Sequence, residues 1–172
     1  MQRTLVPTCR RPVVLLVQSS RDDGLEMYTE FLRYHGLAVI PVSDTRDAVM
    51  LAPQANIVVT GMNLDDSMDG VELVSRLRHN DCTRSTPIIV ITACVWPKER
   101  ARAEGAGCDV FLPKPCLPND LLDEVRQLIA ATRSQTADTP RGFQVPSHRA
   151  RRVARKGGMA AHRLSHVLTR SL

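Results

Sequence analysis

Asp22, Asp23, Asp65 and Asp66, the hydroxyl of Thr92 and the amine of Lys114 stand beside short apolar runs, where side chains can act on a ligand. Carboxylates at such places serve as metal ligands, bases or nucleophiles, and an amine or hydroxyl stabilises an anion. Nucleophilic catalysis finds little support. Ser19 and Ser20 lack a base at interpretable spacing, and His35, His79 and the histidines near the C-terminus pair with no nucleophile. No enzyme is expected. Of five cysteines (Cys9, Cys82, Cys94, Cys108 and Cys116), none forms a CxxC pair, and the x7 spacing of Cys108 and Cys116 matches no common zinc pattern. They read as reduced thiols.

Five apolar runs must position these groups. Val13–Val17 is a run with no polar break, as expected for a strand buried on both faces. Ala38–Val42 is shorter, and Pro41 within it predicts an edge strand. Ile57–Val59, Pro87–Thr92 and Val110–Leu112 complete the set. Helical spacing appears between them: Leu25, Tyr28, Phe31 and Leu32, closed by Gly36; Ala48, Val49 and Leu51, capped by Thr45; and Val71, Val74 and Leu77. A further helix opens at Pro97, holds Ala101 and Ala103 inside and ends at Gly105 and Gly107. The last opens at Pro118 with the stripe Leu121, Leu122, Val125, Leu128 and Ile129. Strands alternating with helices predict an α/β, doubly wound, five-stranded parallel sheet with five helices. Such sheets bind ligands beyond the carboxyl ends of their strands. The loops that matter are therefore 18–23, 61–69, 92–96 and 114–115.

The sequence divides into an N-terminal tail (1–11), a folded domain (12–131) and a basic tail (132–172). Aromatics are only 3%, so Val, Ile, Leu, Met and Ala must fill the core. No apolar run is long enough to span a membrane, and the short one after Arg3, Arg10 and Arg11 lacks the length of a signal-peptide core. A cytoplasmic location is expected. Net charge is +5, but residues 1–132 carry 14 basic and 17 acidic side chains (−3), while residues 133–172 carry 9 and 1 (+8). The tail is rich in Ser, Thr, Gln, Pro and Gly up to residue 150 and reads as disordered. Arg149, Arg151, Arg152, Arg155 and Lys156 then form a basic cluster able to contact phosphates or an anionic surface.

Four segments, in order, carry a resemblance: Met68–Leu73 (MDGVEL), Pro87–Ala93 (PIIVITA), Ala106–Phe111 (AGCDVF) and Lys114-Pro115. Over residues 12–131 the chain resembles the receiver domain of two-component response regulators, of flavodoxin-like fold. The resemblance implies an acidic pair after the first strand that holds Mg²⁺, a phosphoacceptor aspartate ending the third strand, and a Thr or Ser ending the fourth. It also implies an aromatic switch residue and a Lys before a cis-proline, with that Lys and the Thr or Ser contacting the phosphoryl oxygens. Here Gln18, Ser19 and Ser20 occupy the acidic-pair positions and Gly61 the acceptor position, whereas Thr92, Phe111, Lys114 and Pro115 match. Asp65 and Asp66 lie in a loop one residue longer than the family's. The four loop aspartates are expected to be caps and solvated turn residues, so no Mg²⁺ site or other cofactor is expected.

Deprived of carboxylates, Lys114 must reach solvent, pair with Asp65 or Asp66, or bind an anion with Thr92 in the space at Gly61; the first two are favoured. The expected role is an atypical receiver in phosphorelay signalling, a protein–protein interaction module that works without phosphorylation at the usual aspartate. Its expected partner is a protein of a two-component pathway, met through the face 97–105, 110–112 and 118–131, with Trp96 as an exposed anchor or packed on the helix start. Alternative readings are a nucleic-acid- or anionic-surface-binding protein acting through the tail, and an ordinary phosphorylated response regulator.

Overall fold

A computed structural model describes residues 11–22, 24–65 and 68–137. The basic cluster from Arg149 to Lys156, and Asp23 and Asp66, lie outside the described residues.

The elements run β1 (Val13–Val17), α1 (Gly24–Tyr34), β2 (Ala38–Val42), α2 (Thr45–Leu51), β3 (Ile57–Gly61), α3 (Gly70–His79), β4 (Ile88–Thr92), α4 (Pro97–Ala106), β5 (Val110–Pro113) and α5 (Pro118–Ala137). The strands form one parallel sheet in the order β2-β1-β3-β4-β5. The expected doubly wound α/β architecture is therefore the observed one. Pro41 lies in edge strand β2, where its missing N–H breaks no ladder.

Side chains alternate across the sheet and build a core on each face. Val14, Leu16, Ile57, Val59, Ile89 and Ile91 pack with Tyr28 and Leu32 of α1 and Leu121, Leu122, Val125 and Ile129 of α5. Leu15, Val17, Val58, Ile88 and Val90 pack with Ala48 of α2, Leu73, Val74 and Leu77 of α3 and Ala103 of α4. β3 and β4 are buried along their whole length, the reason their sequences show no polar alternation.

Helix ends follow local chemistry. α1 ends in a Schellman turn: Gly36 has φ +86°, its N–H bonds Arg33 O at 3.0 Å, and Leu37 N bonds Leu32 O at 3.2 Å. α4 ends the same way at Gly107, with φ +100°. Some expectations need correction. Asp44, not Thr45, caps α2, because its carboxylate accepts from Arg46 N and Asp47 N. Gly105 lies inside α4, and Ala101 is exposed while Ala103 is buried. β3 continues past Val59 to Gly61, since Thr60 and Gly61 still pair with β4. α5 runs past Ala131 to Ala137. No helix among the described residues is long and apolar enough to cross a membrane.

Candidate functional site

The chain leaves β1 for β2 on one side and returns to β3 on the other, so a crevice opens over their carboxyl ends. A cleft of about 570 Å³ lies there, lined by Gln18, Ser19, Arg21 and Asp22 after β1, by the end of β3 and the loop beyond it (Gly61 to Asp65), by the end of β4 (Thr92, Ala93) and by Lys114. Four separate loops thus meet at one site, as the sequence predicted.

Gln18 continues β1, its N–H bonding Val42 O at 3.2 Å. It is only 1% exposed. Its Oε1 accepts a hydrogen bond from Lys114 Nζ at 3.1 Å, and its Nε2 finds no protein acceptor. A buried donor left unpaired costs about 1–3 kcal/mol. The amide nevertheless keeps this orientation, because the flipped one would turn its N–H groups toward an ammonium. Gly61 ends β3. A Cβ there would lie 3.4 Å from Gln18 Oε1, so the carboxamide rests against the room that a side chain at 61 would enter.

Lys114 follows β5, its N–H bonding Thr92 O at 2.8 Å, and its peptide bond to Pro115 is cis. Its ammonium pairs with the carboxylate of Asp22. The expected escape to Asp65 or Asp66 is therefore corrected: Asp22 is the partner. Asp22 also accepts from Gly24 N at 2.9 Å through its other oxygen, which pins the carboxylate at the start of α1 and aims it across the cleft. Its turn-residue role was legible in the sequence, but its reach to Lys114 was not. Burial alone would raise the Asp22 pKa; the hydrogen bond from Lys114, the Gly24 N–H and the Lys114 charge outweigh it and hold the group below its ordinary value.

Asp65 does something else. Its carboxylate accepts from Ser19 Oγ at 2.5 Å and Ser20 N at 2.6 Å, tying the β3–α3 loop to the β1–α1 loop. The Ser19 hydroxyl, then Ser20, lower its pKa to about 2. Ser19 and Ser20 thus act here as hydrogen-bond donors to Asp65. Mg²⁺ wants several hard, free oxygens. Here Asp22 is held by Lys114 and Asp65 by two donors, and the remaining positions are an amide and hydroxyls, a donor set that does not fit Mg²⁺. Among the described residues no three His, Cys, Asp or Glu side chains gather where they could hold a metal.

Both carboxylates titrate below their unfolded values, so the stability they contribute is complete above the ordinary carboxylate pKa of about 4 and is lost as pH falls through the folded values. Melting temperature is therefore expected to hold steady down to about pH 5 and to drop toward pH 3, and the drop should be smaller in Asp22→Asn. An equal drop in that variant would show that the Asp22 pair does not contribute.

Thr92 is buried, and its Oγ1 accepts from Cys94 N at 3.0 Å. Phe111 is half-buried on the α4 side, with the Arg100 guanidinium 5.8 Å from its ring centre. Trp96 is 71% exposed and contributes only backbone to the start of α4, so of the two readings of this residue the exposed one is observed. Val95 and Leu117, in the loops at the same end of β4 and β5, are also exposed. Cys82, Cys94, Cys108 and Cys116 are free thiols.

A parallel five-stranded sheet with a polar cleft at its switch point defines a doubly wound α/β domain of the kind used for ligand binding and signalling. The family model described as the response regulator receiver domain matches residues 14–126, and the chain belongs to that family. It is 31% identical over 103 residues to ycf29 of Pyropia yezoensis, described as a probable transcriptional regulator, covering 59% of this chain and 46% of that protein. It is 25% identical over 125 residues to the transcriptional regulatory protein SrrA of Staphylococcus aureus, covering 72% and 51%. The chain thus spans about half the length of these curated relatives. Among solved structures, the signal receiver domain of an HD domain-containing protein from Pseudomonas fluorescens matches with TM-score 0.69 at 25% identity, covering 80% of this chain and all of that one. The chemotaxis response regulator CheY4 of Vibrio cholerae matches with TM-score 0.62 at 26% identity, covering 69% and 98%.

Proposed function

We propose that this receiver domain serves two-component signalling as a protein–protein interaction module, without Mg²⁺-dependent phosphorylation at the end of β3. One observation carries the reading. Gly61 offers no carboxylate at the acceptor position, and Gln18 lies against the space where one would stand. The held states of Asp22 and Asp65 support it further, since neither is free to replace the lost metal ligands.

The partner surface in this reading is the face of α4, β5 and α5, with Trp96 as its anchor and Val95 and Leu117 beside it. A large exposed aromatic ring next to smaller apolar groups is the composition of an interface hot spot. The partner is a protein of the same pathway, and the pathway output belongs to whatever that partner does.

Incubation with acetyl phosphate and Mg²⁺, read by intact mass, tests the central claim. The expected result is an unmodified mass under conditions that modify a receiver with an acceptor aspartate. A labile adduct of phosphate mass on an aspartate of the folded domain would overturn the reading.

A further inference from the structure

Strand β2 has a neighbour in the sheet on one side only. Ala38 N bonds Pro12 O at 2.9 Å and Gln18 N bonds Val42 O at 3.2 Å, so Ala38, Ile40 and Val42 turn their backbone groups toward β1. Backbone groups alternate sides along a strand, and those of Val39 and Pro41 therefore face away from the sheet. Two features occupy that outward row. Pro41 has no N–H to offer. The Val39 carbonyl accepts from Arg33 Nη2 at 3.1 Å. Glu30, one turn earlier in α1, pairs with the other arm of the same guanidinium at 3.5 Å. The opposite edge carries a proline at the matching place: Lys114 N–H bonds Thr92 O of β4, so Pro113 before it faces outward. Lack of space does not close the β2 edge. A groove of about 460 Å³ lies between it and α1, with Thr29, Glu30, Arg33 and Pro41 among its walls.

We propose that Arg33 and Pro41 close the β2 edge to strand addition, and so keep this chain from pairing with a second copy through its sheet. An open edge strand is a template for another strand. Two β2 edges related by a two-fold axis would form a closed pair and one continuous sheet. Such a ladder needs outward donors and acceptors in alternation. Here one donor is missing and one acceptor is already used, which leaves the Val39 N–H and the Pro41 carbonyl. A partner is thereby left to meet the domain through side chains and not through backbone pairing. The inference is independent of the state of the cleft.

The test is sedimentation velocity of the full chain over a range of concentrations, together with amide hydrogen exchange at Val39. Arg33→Ala frees the Val39 carbonyl, and Pro41→Val restores a donor with a residue suited to a strand. Both residues are exposed, so neither change opens the core. A two-fold pair makes each restored bond twice, so each single variant should self-associate about tenfold more tightly than the unaltered chain, and the double variant about a hundredfold. The Val39 amide of the double variant should exchange more slowly as concentration rises, and that of the unaltered chain should not. Arg76→Ala removes an exposed arginine that also pairs with a carboxylate of its own helix, but on α3 and away from the edge. It should leave self-association unchanged. Equal self-association by the double variant and the unaltered chain would overturn the proposal. A gain without slower exchange at Val39, or an equal gain in Arg76→Ala, would overturn it as well.

Discussion

Gly70→Ala is expected to lower folding stability by about 3 kcal/mol, the upper range for forcing an added methyl into a packed site. Gly70 opens α3, and its N–H bonds Met62 O at 2.8 Å. A Cβ on it would lie 1.9 Å from Gly61 O and 2.9 Å from both Gly61 C and Met62 Cα. These are backbone atoms at the end of β3, fixed by the β3–β4 ladder, so no side-chain rotation relieves the clash. Helix propensity points the other way, since alanine in a helix is favoured over glycine by about 1 kcal/mol. The two effects therefore predict opposite signs. Urea unfolding with an unchanged slope and a lowered midpoint would report the clash. A midpoint equal to or above that of the unaltered chain would refute it. The close approach also serves the site: α3 can start directly under β3 only if residue 70 has no side chain, and that start orients the loop carrying Asp65.

Arg78→Met should cost nearly as much, about 2–3 kcal/mol, through a different mechanism. The guanidinium of Arg78 bonds Gly107 O at 2.8 Å, Thr86 O at 2.7 Å, Arg84 O at 3.1 Å and Asp109 Oδ2 at 2.7 Å. It thereby ties the end of α3 to the loops that precede β4 and β5. The charge pair is the smaller part. The Asp109 side chain is 42% exposed, and pairs so open to water contribute little. The larger loss comes from part-buried carbonyls left without a donor. Arg78→Lys should thus lose most of the same stability, because an ammonium cannot reproduce the planar fork. Asp109→Asn, which keeps an oxygen for Ile88 N at 2.7 Å, should lose less than Arg78→Met. Thermal melts of the three variants check the order. A mild Arg78→Lys beside a severe Asp109→Asn would show that charge, and not donor geometry, holds this end of the sheet.

The sequence by itself determined the sheet, its edge strand and the loops that meet at the cleft. Those properties are written in short-range patterns: apolar runs of strand length, the proline in β2, and glycines where α1 and α4 turn into left-handed backbone. It also determined that Gly61 carries no carboxylate, since that is a matter of residue identity. Tertiary structure decided what the remaining groups do to each other. Lys114 and Asp22 are 92 positions apart, and Ser19 and Asp65 are 46 apart. No pattern along the chain tells which loop aspartate faces which donor. That choice depends on how far each loop reaches over the sheet, on the Gly24 N–H that aims Asp22 inward, and on the burial of Gln18 against Gly61. Residue types specified a cleft over a third strand that ends in Gly61. Packing then supplied the amide and the carboxylate that satisfy its lysine.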